Sequence, residues 1–210
     1  MEKKKLMSIV ASLALVGVIG IGSTLAYLSD KDSVLNQLNV GKIGIYLTEG
    51  STTPGAEVGS EGIVYTDPIY PGDTVSKIPA LHLDNDSADS YLRVKITVED
   101  VADKDGLPLE YKEDILKNLT PQLAEYGWVS GTDGYYYYQE IATAKNRDGY
   151  TLFDTVTFSK TWTSEFLSGD EAFTINIQGE AVQSDHFDSE LIKNDTGQIV
   201  GWNTDNTDLV

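Results

Sequence analysis

The sequence predicts an all-β fold: a jelly-roll-like antiparallel β-sandwich with one or two short helices, preceded by a signal-peptide helix. Apolar and polar residues alternate along several short segments, which is typical of antiparallel strands with one buried and one solvated face. Turn-forming residues separate these segments, and a helical pattern is convincing in a single place. The chain contains no cysteine, so its stability must come from an apolar core and not from disulfides.

Strands are predicted from period-two alternation, which is clearest in residues 43–47, 92–99, 152–158 and 173–180. Weaker strands are predicted at residues 63–66, 75–83, 128–130 and 135–141. Pro79 lies inside one of the weaker segments and indicates an edge strand or a bulge, because proline cannot donate a ladder hydrogen bond. About eight short strands with little helix favour a sandwich of the jelly-roll type.

A helix is predicted over residues 109–118, where apolar residues recur on one side, and Pro121 is expected to end it. A short helical turn is predicted at residues 189–194. Turns and loops are predicted at residues 49–62, which are rich in small residues, and at 130–134 and 146–149, which suit hairpins.

The N-terminus has the parts of a secretory signal peptide. Three lysines at residues 3–5 precede a charge-free stretch from Leu6 to Ser29, whose far end is rich in small residues. Cleavage is expected between Ala26 and Tyr27, which predicts a secreted protein that works outside the cytoplasm. The alternative is a membrane anchor, since a stretch of this length could span a bilayer.

The net charge and the absence of motifs limit the functions that the sequence supports. A formal charge of −18 argues against nucleic-acid partners and, after cleavage, against anionic membrane surfaces. The chain has two histidines, His82 and His186, and neither an H-E-x-x-H nor a G-x-S-x-G motif. His82 is expected to point to solvent. We therefore predict no enzyme activity and no catalytic residues.

Two other features have an ordinary structural interpretation. Acidic clusters at residues 84–89 and 103–106 offer oxygen ligands for calcium, but neither has the EF-hand spacing, and turns favour such residues anyway. No metal site or cofactor is predicted. The run Tyr135–Tyr138 is predicted to be a strand with at most two exposed rings, although exposed rings could also bind sugars or a partner subunit.

Several segments resemble the TasA/camelysin-type family, whose members include BsaA-like clostridial matrix proteins and are processed by a SipW-type signal peptidase in Gram-positive bacteria. The similar segments are residues 3–5, 26–30, 38–43, 70–75, 81–86, 91–96 and 179–187, with Trp202 downstream. The resemblance implies a jelly-roll subunit of extracellular biofilm matrix fibres. Its partners would be copies of itself, the SipW-type signal peptidase and an accessory matrix protein.

In such fibres, the freed N-terminal segment of one subunit completes the sheet of the next by donor-strand exchange. The predicted organisation is therefore a signal peptide (1–26), an N-terminal candidate donor strand (27–39) and a jelly-roll domain (40–210). The residues expected to face the acceptor subunit are Leu28, Val34, Leu38 and Val40. The alternatives are a disordered N-terminal tail, a camelysin-type cell-surface metallopeptidase, and a monomeric surface adhesin or glycan-binding module.

Overall fold

The computed structural model describes residues 42–59, 62–100, 108–162 and 173–203. These residues form thirteen strands and one α-helix, and every strand pairing is antiparallel, which confirms the predicted all-β sandwich class. The strands are β1 (Ile45–Gly50), β2 (Ala56–Gly59), β3 (Gly62–Tyr65), β4 (Thr74–Ser76), β5 (Ile78–Leu83), β6 (Ser90–Asp100), β7 (Trp128–Ser130), β8 (Tyr135–Tyr138), β9 (Tyr150–Thr151), β10 (Thr155–Thr157), β11 (Phe173–Gln183), β12 (Leu191–Lys193) and β13 (Ile199–Trp202). The helix is α1 (Leu109–Glu125).

Two sheets form the body of the sandwich. One has the strand order β1-β5-β9, and the other has the order β11-β6-β8-β7. Strands β4 and β10 form a two-stranded sheet, and β2 with β3 and β12 with β13 form two more. The longest pairing joins β6 to β11 over all eleven residues of β11 without a register shift, so these two strands are the backbone of the second sheet.

The main core lies between the two sheets and beneath α1. Its best-buried members come from β5, β6, α1 and the segment around β9 and β10: Leu81, Leu92, Val94, Ile115, Leu119, Leu123, Leu152, Phe153 and Val156. A second, smaller core covers the opposite face of the four-stranded sheet, beneath the β12–β13 hairpin, and comprises Tyr91, Tyr137, Phe187, Ile199 and Trp202. The face of β6 and β8 that the alternation predicts to be solvated is therefore buried in part.

The helix is longer than predicted, because Pro121 lies inside it and does not end it. Leu119 and Leu123 continue the apolar stripe on either side of the proline and are both buried. Gln122 also fixes the last turn of the helix to strand β10. The side-chain NH2 of Gln122 donates to the carbonyl of Thr155 at 3.0 Å, and the side-chain oxygen of Gln122 accepts from the backbone N–H of Thr155 at 3.1 Å. Packing and these contacts outweigh the one helical hydrogen bond that proline removes.

Pro79 was expected at an edge or a bulge, but β5 is the central strand of its sheet. The carbonyl of Pro79 accepts from Leu152, which lies just beyond the end of β9. In an antiparallel strand, the N–H and the carbonyl of one residue point to the same side. The N–H that Pro79 lacks would therefore point towards Leu152, on the β9 side of β5, and not towards β1. The proline therefore costs the pairing with β1 no hydrogen bond.

Two further expectations are wrong in part. Residues 49–62 were predicted as a loop, but they contain the end of β1 and most of the β2–β3 hairpin. The helical turn predicted at 189–194 is a 3-10 turn over Asp188–Glu190, and β12 follows it directly. Short strands with mixed polarity leave too weak a periodic signal to separate them from loops.

Candidate assembly interface

One side of the sandwich is bordered by two strands that each pair on one side only. Strand β1 pairs with β5 and strand β11 pairs with β6, and within the described residues no strand covers the other edge of either. The two strands lie next to each other, with Cα atoms of β1 and β11 within 8 Å. The free edges therefore lie side by side, and we call the surface that they border the edge groove.

The edge groove leaves part of the main core incompletely covered. Every second residue of β11 faces the main core, as do the residues of β6 with which it pairs. The apolar side chains among these inward residues remain partly exposed: Phe173, Ile175, Ile177 and Ala181. Ile43 and Leu47 complete the opposite wall in the same partly buried state. A strand added here would bury apolar surface and pair backbone groups at the same time.

The two sheets meet closely beside this groove. A Cβ placed on Gly179 of β11 would lie 2.7 Å from the end of the Leu81 side chain of β5, so a larger residue there requires Leu81 or the backbone to shift. The glycine therefore allows the two sheets to approach closely at this point.

Neither strand carries the features that usually protect a free edge. Exposed edges are commonly interrupted by proline, lysine or a bulge, whereas β1 and β11 contain neither proline nor lysine, and β11 has no register shift. Each strand has one charged residue, and both charges are paired. Glu49 binds Lys77 at 2.5 Å and Glu180 binds Arg93 at 2.6 Å. The edges are thus free of unpaired charge.

Arg93 lies at the centre of the second core. Its guanidinium donates to Oε2 of Glu180 from Nε at 2.9 Å and from Nη2 at 2.6 Å, while Tyr135 donates to Oε1 of Glu180 at 2.9 Å. The guanidinium carbon lies 4.1 Å from the ring centre of Tyr135 and 4.5 Å from that of Trp202. Burial alone would lower the pKa of Arg93, but hydrogen bonds to Glu180 and Tyr137 outweigh it and raise the pKa above its usual value.

The tyrosine run forms β8, as predicted, but neither face of it is free. Tyr136 and Tyr138 pack against the main core, while Tyr135 and Tyr137 belong to the second core. Tyr137 is fully buried, and its hydroxyl donates to Asp133 at 2.5 Å. Burial and this carboxylate raise the pKa of Tyr137 to about 12, against the opposing effect of Arg93. Of the four rings, three are partly buried and one is fully buried.

The two histidines have different environments. His82 was expected to point to solvent, but it is only 7% exposed, because Tyr46 and the turn around Gly149 cover it. His186 lies exposed in the turn after β11. In the part of the chain that the structure describes, no group of three or more histidine, aspartate or glutamate side chains is placed to hold a metal ion.

The acidic cluster at residues 84–89 has other contacts. Asp86 forms an exposed ion pair with Lys42 at 3.0 Å, and the side-chain oxygen of Asn85 accepts from Arg147. These contacts hold the residues before β1 and the 146–149 turn against the turn that ends β5. The second cluster, residues 103–106, lies outside the described residues.

The site residues predicted from the sequence also lie outside the described residues. These are the cleavage pair Ala26 and Tyr27 and the donor-strand residues Leu28, Val34, Leu38 and Val40. Across the described ranges, no helix is both long and apolar enough to cross a membrane. No family model, curated protein or solved structure matches this chain, so the resemblance to the TasA/camelysin-type family stays a prediction.

Sequence reasoning missed the edge groove, the partly buried pair Arg93–Glu180 and the burial of His82. The alternation places Arg93 on the polar side of β6, where a solvated charge is the ordinary interpretation. A signal was available, because Tyr91, Tyr135 and Tyr137 fall on this supposedly solvated face. Several aromatic residues on one polar face indicate that another layer covers it.

Proposed function

We propose that the protein is a secreted, non-enzymatic structural subunit that polymerises into extracellular matrix fibres. The observation that supports this proposal most is the edge groove, with its two adjacent unprotected edges and its partly covered core. A monomer with such edges is prone to bind a further strand. The occupant that we propose is the N-terminal segment, residues 27–39, of another copy.

The length of the segment fits this role. At about 3.3 Å per residue, residues 27–39 span roughly 43 Å when extended, and the eleven-residue strand β11 spans roughly 36 Å. The segment can therefore pair along the whole free edge. Its apolar residues Leu28, Val34 and Leu38 share one side with Val40, which follows the segment directly, so they can face the incompletely covered core.

The start of β1 favours exchange between copies over insertion into the same subunit. The carbonyl of Lys42 accepts from Ala88 and the carbonyl of Gly44 accepts from Asp84, so residues 42–44 continue the line of β1 past the end of β5. A segment that leaves in this direction would have to reverse sharply to reach its own groove. A head-to-tail contact of this kind produces filaments when its rotation does not close into a ring, and we propose the open arrangement here.

The first test is negative-stain electron microscopy of protein that begins at Tyr27, with its N-terminus verified by intact mass. We expect uniform filaments. Protein that begins at Val40 should remain folded and monomeric, with the circular dichroism of a β protein. Persistent monomers of the longer protein, across salt, pH and calcium conditions, would refute the proposal. Unfolding of the shorter protein would show that the segment belongs to its own subunit.

A matched pair of variants tests the groove itself. Ile175→Lys places a charge on the inward face of β11, whereas Thr174→Lys adds the same charge on the exposed outward face of the neighbouring position. Because Ile175 is only partly buried, a lysine there can keep its charge in water while blocking a further strand. We expect Ile175→Lys to stop filament growth and Thr174→Lys to permit it, with both variants folded. Equal filament growth in the two would remove the edge groove as the acceptor.

A further inference from the structure

His82, in β5, lies on the outer face of the first sheet between strand β1 and the 146–149 turn. Its ring stacks on that of Tyr46 in β1, with the ring centres 4.8 Å apart and the planes at 6°. Its Nε2 lies 2.9 Å from the Thr48 hydroxyl, also in β1. On the other side, the backbone of Gly149 approaches so closely that a Cβ there would lie 2.5 Å from the ring. The imidazole thus contacts both an edge strand and a surface turn.

The two elements that His82 joins are anchored on one side only. Strand β1 is anchored by Ile45 in the main core and by the Glu49–Lys77 pair, but it has hydrogen bonds to β5 on one side only among the described residues. The 146–149 turn is held by the Asn146 amide, which donates to the carbonyl of Gly149 at 2.9 Å, and by the contact of Arg147 with Asn85. A strand with a one-sided ladder opens locally at a lower free-energy cost than a strand paired on both sides.

We propose that His82 is a pH-sensitive clasp, which holds the edge strand β1 against the 146–149 turn when neutral and loosens this contact when protonated. The described titratable groups that face the ring are Tyr46 from β1 and Asp148 from the turn. The neighbours of His82 on this face of the sheet are otherwise uncharged, namely Thr48, Ala80 and Thr151.

The direction of the effect follows from burial. Burial lowers the pKa of His82 below its usual value of 6.5, and the charge of Asp148 offsets this only in part. The open form, in which water reaches the ring, therefore binds a proton more tightly than the closed form. The closed contact is fully stable above the pKa of the open form. It loses stability as the pH falls from there towards the pKa of the closed form.

The two histidines of the chain permit a clean test by NMR and by hydrogen exchange on the monomeric fraction of the purified protein. Exchange is compared at about pH 7.5 and pH 5, corrected for the intrinsic rate, in the unsubstituted protein, His82→Gln and His186→Gln. We expect acid to cause a loss of protection in residues 45–50 and 146–150 of the unsubstituted protein and of His186→Gln. His82→Gln should show no such acid-dependent loss.

Two outcomes would overturn the clasp. One is an equal acid-dependent loss of protection in all three proteins, because the carboxylates common to them would then explain it. The other is a His82 imidazole signal that titrates at or above 6.5, the usual pKa of histidine. If His82→Gln does not fold, Asp148→Ser replaces it and should shift the His82 titration to lower pH. Because β1 borders the edge groove, loosening of the clasp would also affect assembly if the proposed function holds. The exchange and titration experiments use the monomer and do not depend on filaments.

Discussion

Replacing Arg93 with methionine tests the electrostatic centre of the second core. The substitution keeps an unbranched apolar stem but removes the guanidinium. Glu180 then loses two hydrogen bonds, of 2.9 and 2.6 Å, and keeps those from Tyr135 and Gln178. Tyr135 and Trp202 lose the cation that lies over both rings. The change therefore removes charge pairing and cation–π contact while it keeps the packing of the stem.

The magnitude follows from how far the pair is buried. The side chains of Arg93 and Glu180 are 13% and 21% exposed. Breaking a fully buried pair by removing one partner costs about 3–5 kcal/mol, whereas an exposed pair contributes about 0–1 kcal/mol. The partial exposure lets water reach the remaining carboxylate, so the expected loss lies at or just below the buried range. We expect Arg93→Met to lower the free energy of unfolding by about 3 kcal/mol.

Lys95→Met is the matched control. Lys95 is two residues further along β6 on the same face, and its ammonium lies 5.7 Å from the ring centre of Tyr135. Lys95→Met removes the same charge without breaking a close ion pair, so it should change the free energy of unfolding by no more than about 0.5 kcal/mol. The assay is urea unfolding of the monomer followed by tryptophan fluorescence and circular dichroism. A loss below about 1 kcal/mol for Arg93→Met, or one equal to that of Lys95→Met, would refute the reasoning.

Two further predictions concern packing and alkaline pH. Gly179→Ala forces a methyl group against Leu81 and should cost about 1–3 kcal/mol in urea unfolding, and an unchanged midpoint would show that the sheets can move apart. Tyr65, Tyr91 and Tyr137 each have a pKa raised to about 12, chiefly by burial. Their contribution to stability is therefore complete below about pH 10 and is lost as the pH rises towards 12. In a spectrophotometric titration, these three rings should ionise after the exposed tyrosines, and a single transition near pH 10 would contradict the structure.

Two of the four segments with the strongest alternation, 92–99 and 173–180, lie inside single long strands, because apolar and polar residues alternate over their whole length. Strands β6 and β11 were found from the sequence on this ground, and the eleven-residue register between them agrees with it. The segment 152–158 was predicted as one strand, but only Thr155–Thr157 (β10) forms one. The end of α1 was not predictable from local rules. Pro121 is a strong local stop signal, but the contacts of Leu123 and Gln122 with the rest of the fold override it.

The positions of the strands within the sheets could not be predicted at all. Whether a strand is central or at an edge depends on which segments pair with it, and these are distant in sequence: β11 pairs with residues more than seventy positions away. The same limit applies to His82, whose burial depends on Tyr46 and on the 146–149 turn. The residues next to His82, Leu81 and Leu83, do not indicate that residues distant in sequence bury it.

The candidate donor strand and the edge groove come from separate lines of reasoning. The first follows from the leader and from the apolar pattern of residues 27–39, which lie outside the described part of the chain. The second follows from strands whose free edges face the same side. If the segment filled the groove of its own subunit, truncation at Val40 would expose the core and lower the stability of the fold. If it fills the groove of the next copy, truncation removes filaments and leaves the stability of the monomer unchanged, so the stability of the truncated protein separates the two arrangements.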